Sequence, residues 1–169
     1  MTDDRSDVAV LARSLVHRLR QRRERLACVE SCTAGLVAAT IAEVPGASAV
    51  LYGGWVVYRN EAKTELLGLD ADSLALHSAV SRHTTVALAQ RGLVRSGCHW
   101  CMAVTCFAGP EADLGRTVGE GYIAVVGQGG TEQVQELAMA PELGRKEIRQ
   151  QMVRHVLQLL AQSTGAEIL

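Results

Sequence analysis

LACVESCTAGLVAATIAEVPG, residues 26–46, puts five mostly apolar residues directly in front of a segment rich in Ala and Leu. Residues 26–30 predict a short buried strand, and residues 33–44 predict a helix that Pro45 and Gly46 end. A strand that leads into a helix is a building unit of α/β sheets. Ligands of open α/β sheets gather at the carboxyl ends of strands, so the junction between the two elements is also a candidate site.

The segments on both sides of this junction continue the alternation of helices and strands. Upstream, apolar residues recur at helical spacing. Downstream, three strands follow one another late in the chain, which predicts helices on both faces of a mixed sheet rather than a purely parallel one. The predicted strands are 26–30, 50–58, 100–105, 121–126 and 133–139, and the predicted helices are 6–23, 33–44, 61–67, 81–95 and 145–162.

Composition and charge bound the class of protein. The 169 residues fit one domain, 1–169, whose size needs neither a disulfide nor a metal to fold. A formal net charge of −1 argues against nucleic acid as a partner. Five arginines at positions 18–25 predict either a solvated helix end or a patch for a partner.

No apolar run reaches the roughly 20 residues of a membrane helix, and the acidic N-terminus lacks signal-peptide features, so a cytoplasmic protein without a membrane partner is expected.

The segment ESCTAG, residues 30–35, offers a nucleophile. A hydroxyl at a helix N-terminus, such as that of Ser31, can attack a carbonyl while nearby amides hold the resulting oxyanion. The same helix end is expected to accept a phosphate. The alternative is that Ser31 or Thr33 only caps the helix, since Ser and Thr are preferred at that position.

Two further segments carry candidate chemistry at strand ends. In YRNEAK, residues 58–63, Lys63 is one of two lysines among seventeen basic residues, and lysine can release a proton where arginine cannot. The alternative is a solvated surface lysine. In VTCFAGP, residues 104–110, small residues and a Gly-Pro break let backbone approach a substrate, unless the segment is an ordinary strand exit. Gly53 and Gly54, inside a predicted strand, indicate a bulge or close approach to a ligand.

The cysteines and histidines lack the arrangement of a metal site. Five cysteines are an odd number, which argues against a disulfide framework. Cys98 and Cys101 have C-x-x-C spacing but no second pair of ligands, which favours buried structural thiols over a redox pair or a zinc site. The five histidines form no H-x-x-x-H pair. We therefore expect no metal and no other cofactor.

Five motifs together resemble the CinA C-terminal-domain family, the PncC-type nicotinamide-nucleotide amidases. The family pattern contains ESCTGG, Pro-Gly-x-Ser, Tyr-x-Asn-x-x-Lys, AVS and TG-x-AGP, in that order. This sequence has ESCTAG at 30–35, PGAS at 45–48, YRNEAK at 58–63, AVS at 79–81 and TCFAGP at 105–110. The resemblance covers about residues 8–160, and five ordered motifs are far more specific than any one of them.

The resemblance implies a fold, a reaction and a set of site residues. It implies a three-layer α/β/α fold with a mixed, mostly parallel five-stranded sheet, a homodimer, and conversion of nicotinamide mononucleotide to nicotinate mononucleotide and ammonia without a metal. Ser31 matches the nucleophile, Lys63 the lysine that activates it, and Tyr58 and Thr105 active-site hydroxyls. The residues expected to bind this small-molecule nucleotide are Glu30, Thr33, Gly35, Gly54, Asn60, Ala108, Gly109 and Arg116.

The implied reaction sets a condition on Lys63. Only a neutral amine accepts the serine proton, so its pKa must fall from about 10.4 towards 7 or 8. Partial burial and neighbouring positive charge are the available causes, and Arg59 is close enough in sequence to contribute.

Two departures from the family pattern fall in substrate-facing loops. Ala34 replaces the first glycine of the GG pair and adds a methyl group where backbone approaches the ligand. Cys106 replaces the glycine of TG-x-AGP, is bulkier and restricts φ. These departures favour a rival hypothesis, a non-catalytic or substrate-shifted binding domain, whereas Ser31, Tyr58 and Lys63 favour the enzyme. A thiol-based redox protein using Cys98 and Cys101 is the third reading.

Overall fold

The computed structural model describes residues 4–113, 115–140 and 142–166. Five strands form one sheet in the order β2-β1-β3-β4-β5. The strands are β1 Leu26–Glu30, β2 Leu51–Val56, β3 Trp100–Cys106, β4 Glu120–Gly127 and β5 Glu132–Ala138. The helices are α1 Asp4–Arg22, α2 Leu36–Ala42, α3 Asn60–Leu67, α4 Ala71–His77, α5 Arg82–Ser96 and α6 Arg145–Thr164, with a 3₁₀ turn at Ala47–Ala49.

The sheet is mixed, with a single reversed strand. β1 pairs in parallel with both β2 and β3, whereas β4 is antiparallel to β3 and to β5. Four strands therefore run in the same direction, which confirms the predicted mixed, mostly parallel sheet. Every residue of β1 and β3 is buried, because helices cover both faces of these central strands.

Two hydrophobic cores lie on opposite faces of the sheet. The larger core packs α1, α2 and α6 against one face, through residues such as Leu19, Ile41 and Met152. The second core packs α3, α4 and α5 against the other face, through residues such as Leu67 and Leu88. This arrangement confirms the three-layer α/β/α fold.

The helix boundaries correct the sequence-based ones in two places. Helix α4 was not predicted, because its seven residues bury only Leu74 and give no periodic pattern; its start is capped by Asp70, which accepts from the Asp72 amide at 3.3 Å. Helix α2 begins at Leu36 and not at Thr33. Helix α5 begins next to Ser81, whose side chain caps it by accepting from the Thr84 amide at 3.1 Å.

Candidate active site

Three segments of the chain meet at one edge of the sheet. β1, β2 and β3 run in the same direction, so their carboxyl ends lie side by side. Ser31 follows β1, Tyr58 lies two residues beyond β2, and Thr105 is near the end of β3. Lys63 reaches the same edge from α3, with its Nζ 3.4 Å from the Tyr58 carbonyl oxygen. The four candidate catalytic residues are therefore gathered at this edge.

Ser31 lies beside Thr105 across the parallel ladder. The Ser31 amide donates to the Val104 carbonyl at 3.1 Å, which extends the register in which Glu30 pairs with Val104. The Ser31 backbone therefore lies next to that of Thr105, one residue beyond the end of β1. The Ser31 side chain is partly buried. Among the described residues, its hydroxyl has no hydrogen-bond partner.

Helix α2 is capped by a carboxylate and not by a hydroxyl. Its N-cap position, Gly35, makes no side-chain capping bond. Instead, Glu30 accepts from the Gly35 amide at 2.9 Å, the Val37 amide at 3.0 Å and the Ala38 amide at 2.9 Å. A carboxylate at this position satisfies free amides and suits the positive end of the helix dipole. The alternative in which Ser31 or Thr33 caps the helix is therefore wrong, and the Ser31 hydroxyl is left free for chemistry.

The same contacts use the amides of this helix end that were expected to bind a phosphate. The Leu36 amide donates to the Thr33 carbonyl at 3.2 Å, so every amide from Gly35 to Ala38 already has an acceptor. A phosphate would have to displace a buried carboxylate of the same sign of charge. The expectation that this N-terminus accepts a phosphate is therefore wrong. Glu30, which is 2% exposed, holds α2 onto β1 through these bonds.

The turn between β1 and α2 contains a strained residue. Ala34 has φ 52°, in the left-handed region, which costs an L-residue roughly 1–2 kcal/mol. Thr33 is buried, and its carbonyl accepts from Nη2 of Arg149 in α6 at 2.7 Å. Thr33 Oγ1 and Arg149 Nε are buried without a hydrogen-bond partner among the described residues. Arg149 therefore fixes the turn that follows Ser31.

Lys63 is a buried amine and not a surface lysine. Its side chain is 1% exposed, and Nζ donates to the Tyr58 carbonyl and to Asn60 Oδ1, both at 3.4 Å. Burial lowers the pKa of Lys63, and the negative charge of Glu61 partly opposes that shift. The alternative of a solvated lysine is therefore wrong, and Asn60 acts on Lys63 directly.

Arg59 does not contribute to the lowered pKa of Lys63. Its guanidinium is exposed and forms an ion pair with Glu61 at 3.2 Å. That pairing lowers the pKa of Glu61, so the negative charge of Glu61 is the one that Lys63 experiences. The expected help from Arg59 is therefore wrong, and desolvation is the cause that remains.

Tyr58 and the loop after β3 are joined by an arginine that sequence reasoning missed. Tyr58 is 50% exposed, and its hydroxyl binds Nη2 of Arg145 at the start of α6. Nη1 of the same guanidinium donates to the Gly109 carbonyl. Arg145 was not distinguishable in a sequence with many arginines, because only the fold brings α6 to the carboxyl ends of β2 and β3. It is an exposed cation at the candidate site.

Thr105 is fully buried and bonded to a second threonine. Its Oγ1 lies 2.8 Å from Oγ1 of Thr85 in α5. Thr85 Oγ1 in turn donates to the Ser81 carbonyl at 2.7 Å. Thr85 lies one helical turn after Ser81, and nothing in the sequence distinguished it from an ordinary buried helix residue.

The expected glycine and loop residues have mainly structural roles. A side chain at Gly54 would meet the Cys28 carbonyl at 2.4 Å, so the close approach predicted there is to β1 and not to a ligand. Gly109, at φ 85°, packs on Val118, and Ala108 is buried in the larger core. Gly35, at φ 94°, completes the turn into α2.

Arg116 is engaged by other groups of the chain. Its Nε lies 3.2 Å from a Glu120 carboxylate oxygen, and Nη2 donates to the Val80 carbonyl at 3.2 Å. The guanidinium also lies over the Phe107 ring, 5.9 Å from its centre. These contacts neutralise and orient the Arg116 charge, which leaves Arg145 as the better placed cation for an anionic ligand.

The thiols lie in the interior of the fold. All five cysteines are free and buried. Burial raises the pKa of Cys32 well above its ordinary value, and a hydrogen bond with Cys106 adds to the shift. Burial likewise raises the pKa of Cys101, whose thiol donates to the Met102 carbonyl. Burial and a raised pKa favour a structural role for these cysteines over a role in thiol chemistry.

Two further expectations concern metals and membranes. In the part of the chain that the structure describes, no cluster of three or more His, Cys, Asp or Glu could hold a metal ion. None of the helices in that part is both long and apolar enough to span a bilayer.

Comparison with known proteins gives a consistent result. The family model of the CinA C-terminal domain matches residues 8–164. A "CinA-like protein" of Anaeromyxobacter sp. (strain K) is 43% identical over 147 residues, which cover 86% of this chain and 35% of that protein. The chain thus spans about a third of the length of the curated relatives it matches.

Solved structures show the same fold. The competence/damage inducible protein CihA from Agrobacterium tumefaciens matches with a TM-score of 0.90 and 34% identity, covering 94% of this chain and 96% of that one. The competence damage-inducible protein A from Klebsiella pneumoniae matches with a TM-score of 0.89 and 28% identity, covering 94% and 98%. Since the family model covers nearly the whole sequence and the folds superpose over 94% or more of each chain, the chain belongs to the CinA C-terminal domain family.

Proposed function

We propose that this chain is an amidase that hydrolyses the carboxamide of nicotinamide mononucleotide, or of a closely related pyridine nucleotide, to the acid and ammonia. The observation that carries the proposal is a buried lysine with a lowered pKa at the same sheet edge as a serine whose hydroxyl is free. A serine needs a base to become a nucleophile, and a desolvated lysine provides one.

The reaction follows from these groups. Ser31 Oγ attacks the carboxamide carbon, and its proton moves to the neutral amine of Lys63. The resulting ammonium returns that proton to the departing nitrogen, so ammonia leaves and an acyl-serine ester remains. Water then attacks the ester, Lys63 takes a proton from it, and the acid is released with the Ser31 hydroxyl restored. No metal or other cofactor takes part in these steps.

Backbone amides next to Ser31 are available for the developing oxyanion. The amides of Cys32 and Thr33 have no acceptor elsewhere in the backbone of the described residues, whereas the amides from Gly35 to Ala38 are all used. Preorganised donors of this kind are the usual stabilisers of a tetrahedral intermediate. Arg149 supports this role by holding the Thr33 carbonyl.

Arg145 is the proposed partner of the substrate phosphate. Its guanidinium is exposed, lies against Tyr58 and Gly109, and has no carboxylate partner among the described residues. Arg116, by contrast, is paired with Glu120. A planar guanidinium can bind phosphate with two parallel hydrogen bonds.

We extend the proposal to a cytoplasmic homodimer. Size-exclusion chromatography with light scattering would test the dimeric state.

The test is ammonia release from three carboxamides. We expect kcat/KM to fall from nicotinamide mononucleotide to its riboside and to free nicotinamide, because the riboside and nicotinamide lack the phosphate. Arg145→Gln should reduce kcat/KM for the nucleotide and leave that for the riboside nearly unchanged. Equal kcat/KM values for all three substrates would contradict the proposed contact between Arg145 and the phosphate. If none of the three substrates released ammonia, the hypothesis of a non-catalytic binding domain would be favoured.

A further inference from the structure

Strand β2 forms an open edge of the sheet. It stands first in the strand order and, among the described residues, pairs only with β1. The Val57 amide donates to the Glu30 carbonyl, and successive residues of a strand turn their peptide groups to opposite sides. Because the register between β1 and β2 is regular from Gly54 to Val56, the main-chain groups of these two residues point away from β1. Another strand could pair with them there.

The side chains along this edge are apolar and exposed. Tyr52 is 52% exposed and Val56 is 48% exposed, and Gly54 between them is also exposed. No residue from Val44 to Tyr58 carries a charge. Natural proteins usually protect an open edge strand with charged side chains or proline, because unpaired main-chain groups invite another strand. Strand β2 contains neither.

The opposite edge of the sheet, β5, has this protection. Its exposed residues include Glu132 and Glu136. Pairing with a second copy of β5 would bring the glutamates of both copies to one seam, and like charges that face each other across two strands are destabilising. The two edges therefore differ in charge, and only β2 can meet its own copy without repulsion.

A second copy of β2 is complementary to this edge. In an antiparallel pair centred on Gly54, the outward main-chain groups of Gly54 would bond to Gly54 of the partner subunit. Tyr52 would lie opposite Val56 of the partner subunit, and the two-fold axis repeats that pair. An aromatic and a β-branched side chain form a favourable cross-strand pair, and the strand brings no charge to the seam.

We propose that two copies of this chain associate through antiparallel pairing of their β2 strands, which joins the two sheets into one. The inference rests on the proposed homodimer and names its interface, but it does not depend on the proposed reaction. Tyr58 lies two residues beyond Val56, so this interface adjoins the candidate active site.

Val56→Lys tests the interface, because lysine is a residue that natural proteins use to protect an open edge. One lysine from each subunit would enter the seam, and we expect the Kd of the dimer to rise by about tenfold or more. Gln135→Lys is the matched control, because it adds the same charge at an exposed position of β5, and its Kd should equal that of the wild type. Both positions are exposed, so the Tm of each variant should stay close to that of the wild type.

Sedimentation equilibrium over a range of protein concentrations gives the Kd. A dimeric wild type and a Val56→Lys variant with the same Kd would leave the homodimer in place and overturn the β2 interface. An equal rise in Kd for Gln135→Lys would show a general effect of charge and overturn the interface as well. A wild type that stays monomeric at high micromolar concentration would overturn both the homodimer and this inference, and leave the edge to a strand of another protein. Ammonia release is measured separately and enters none of these outcomes.

Disulfide cross-linking gives a second test, which depends on the register. Residues that face each other in an antiparallel pair have Cα atoms about 4.5–5.5 Å apart, a distance that suits a disulfide. With Tyr52→Cys and Val56→Cys in the same chain, oxidation by diamide should give a covalent dimer. The wild type, whose own cysteines are buried, and a variant with Gln133→Cys and Gln135→Cys on β5 should give none. Absence of a covalent dimer from the β2 variant would overturn the pairing centred on Gly54.

Discussion

Glu30→Gln tests the finding that this residue holds helix α2 in place. The carboxylate accepts from three backbone amides, two at Oε2 and one at Oε1, and it is buried. Glutamine has the same shape, but one of its oxygens is replaced by an NH₂ group that only donates. The substitution therefore changes the hydrogen bonding of the helix start without opening a cavity.

The size of the effect follows from the three bonds. The amide facing the new NH₂ group, that of Ala38 or those of Gly35 and Val37 depending on the rotamer, is left without an acceptor, at about 1–3 kcal/mol for each buried group. The bonds that remain become neutral, and each loses about 1 kcal/mol relative to its charged form. For the rotamer that leaves only the Ala38 amide without an acceptor, the sum is about 3–5 kcal/mol of unfolding free energy. For a chain of this length, that corresponds to a fall in Tm of about 6–20 °C.

Urea unfolding and thermal denaturation of Glu30→Gln provide the measurement. Glu43→Gln is the matched control, because it makes the same chemical change at the other, exposed end of α2 and should alter stability by less than about 0.5 kcal/mol. If Glu30→Gln unfolds with the same free energy as Glu43→Gln but binds substrate poorly, Glu30 is a ligand-binding residue and our account of α2 is incorrect.

Three further predictions concern strain, pH and metals. Ala34→Gly should raise the unfolding free energy by about 0.5–1 kcal/mol, because relief of the left-handed strain exceeds the added entropy cost of glycine; a lower Tm would contradict this. The kcat of the wild type should rise with pH through a pKa below 10.5, because burial lowers the pKa of Lys63 and only its neutral amine accepts the serine proton; a rate that is flat from pH 6 to 10 would argue against that base. Prolonged treatment with a chelator should leave kcat unchanged, and activity that is lost and then restored by zinc would contradict the metal-free reaction.

The periodic parts of the sequence predicted the fold well, because burying one face of a helix or strand sets the spacing of its apolar residues. The apolar run of β1 and the helical spacing in α6 each reflect a face packed into a core. Gly68 ends α3 in the left-handed conformation, which glycine commonly adopts just after a helix. Helix α4 escaped detection because its single buried leucine leaves no pattern to read.

The sequence predicted which residues lie at the candidate site better than it predicted what each of them does. A motif places Glu30 and Ser31 at a strand end, but it does not show that the Glu30 carboxylate takes the amides of α2. The same holds for Arg59, whose charge is used by Glu61 two residues away. These roles depend on side-chain directions, which the order of residues leaves open.

The residues that the sequence did not reveal come from distant elements. Arg145 reaches Tyr58 across 87 positions of the chain, and Arg149 reaches Thr33 across 116. Such contacts exist only because α6 packs beside α2 on the larger core. Likewise, Cys106 was expected in a substrate-facing loop, and that expectation is wrong: it is the last residue of β3 and lies opposite Gly121.

The central claim is that Ser31 and Lys63 act as one catalytic unit, and single and double variants measure it directly. Ser31→Ala and Lys63→Met should each lower kcat for nicotinamide mononucleotide by about 10³-fold or more, and the double variant should be little worse than either single one. Lys63→Met fills the space of the buried side chain, so its Tm should stay close to that of the wild type. Folded single variants with near-normal kcat, or losses that multiply in the double variant, would contradict the account.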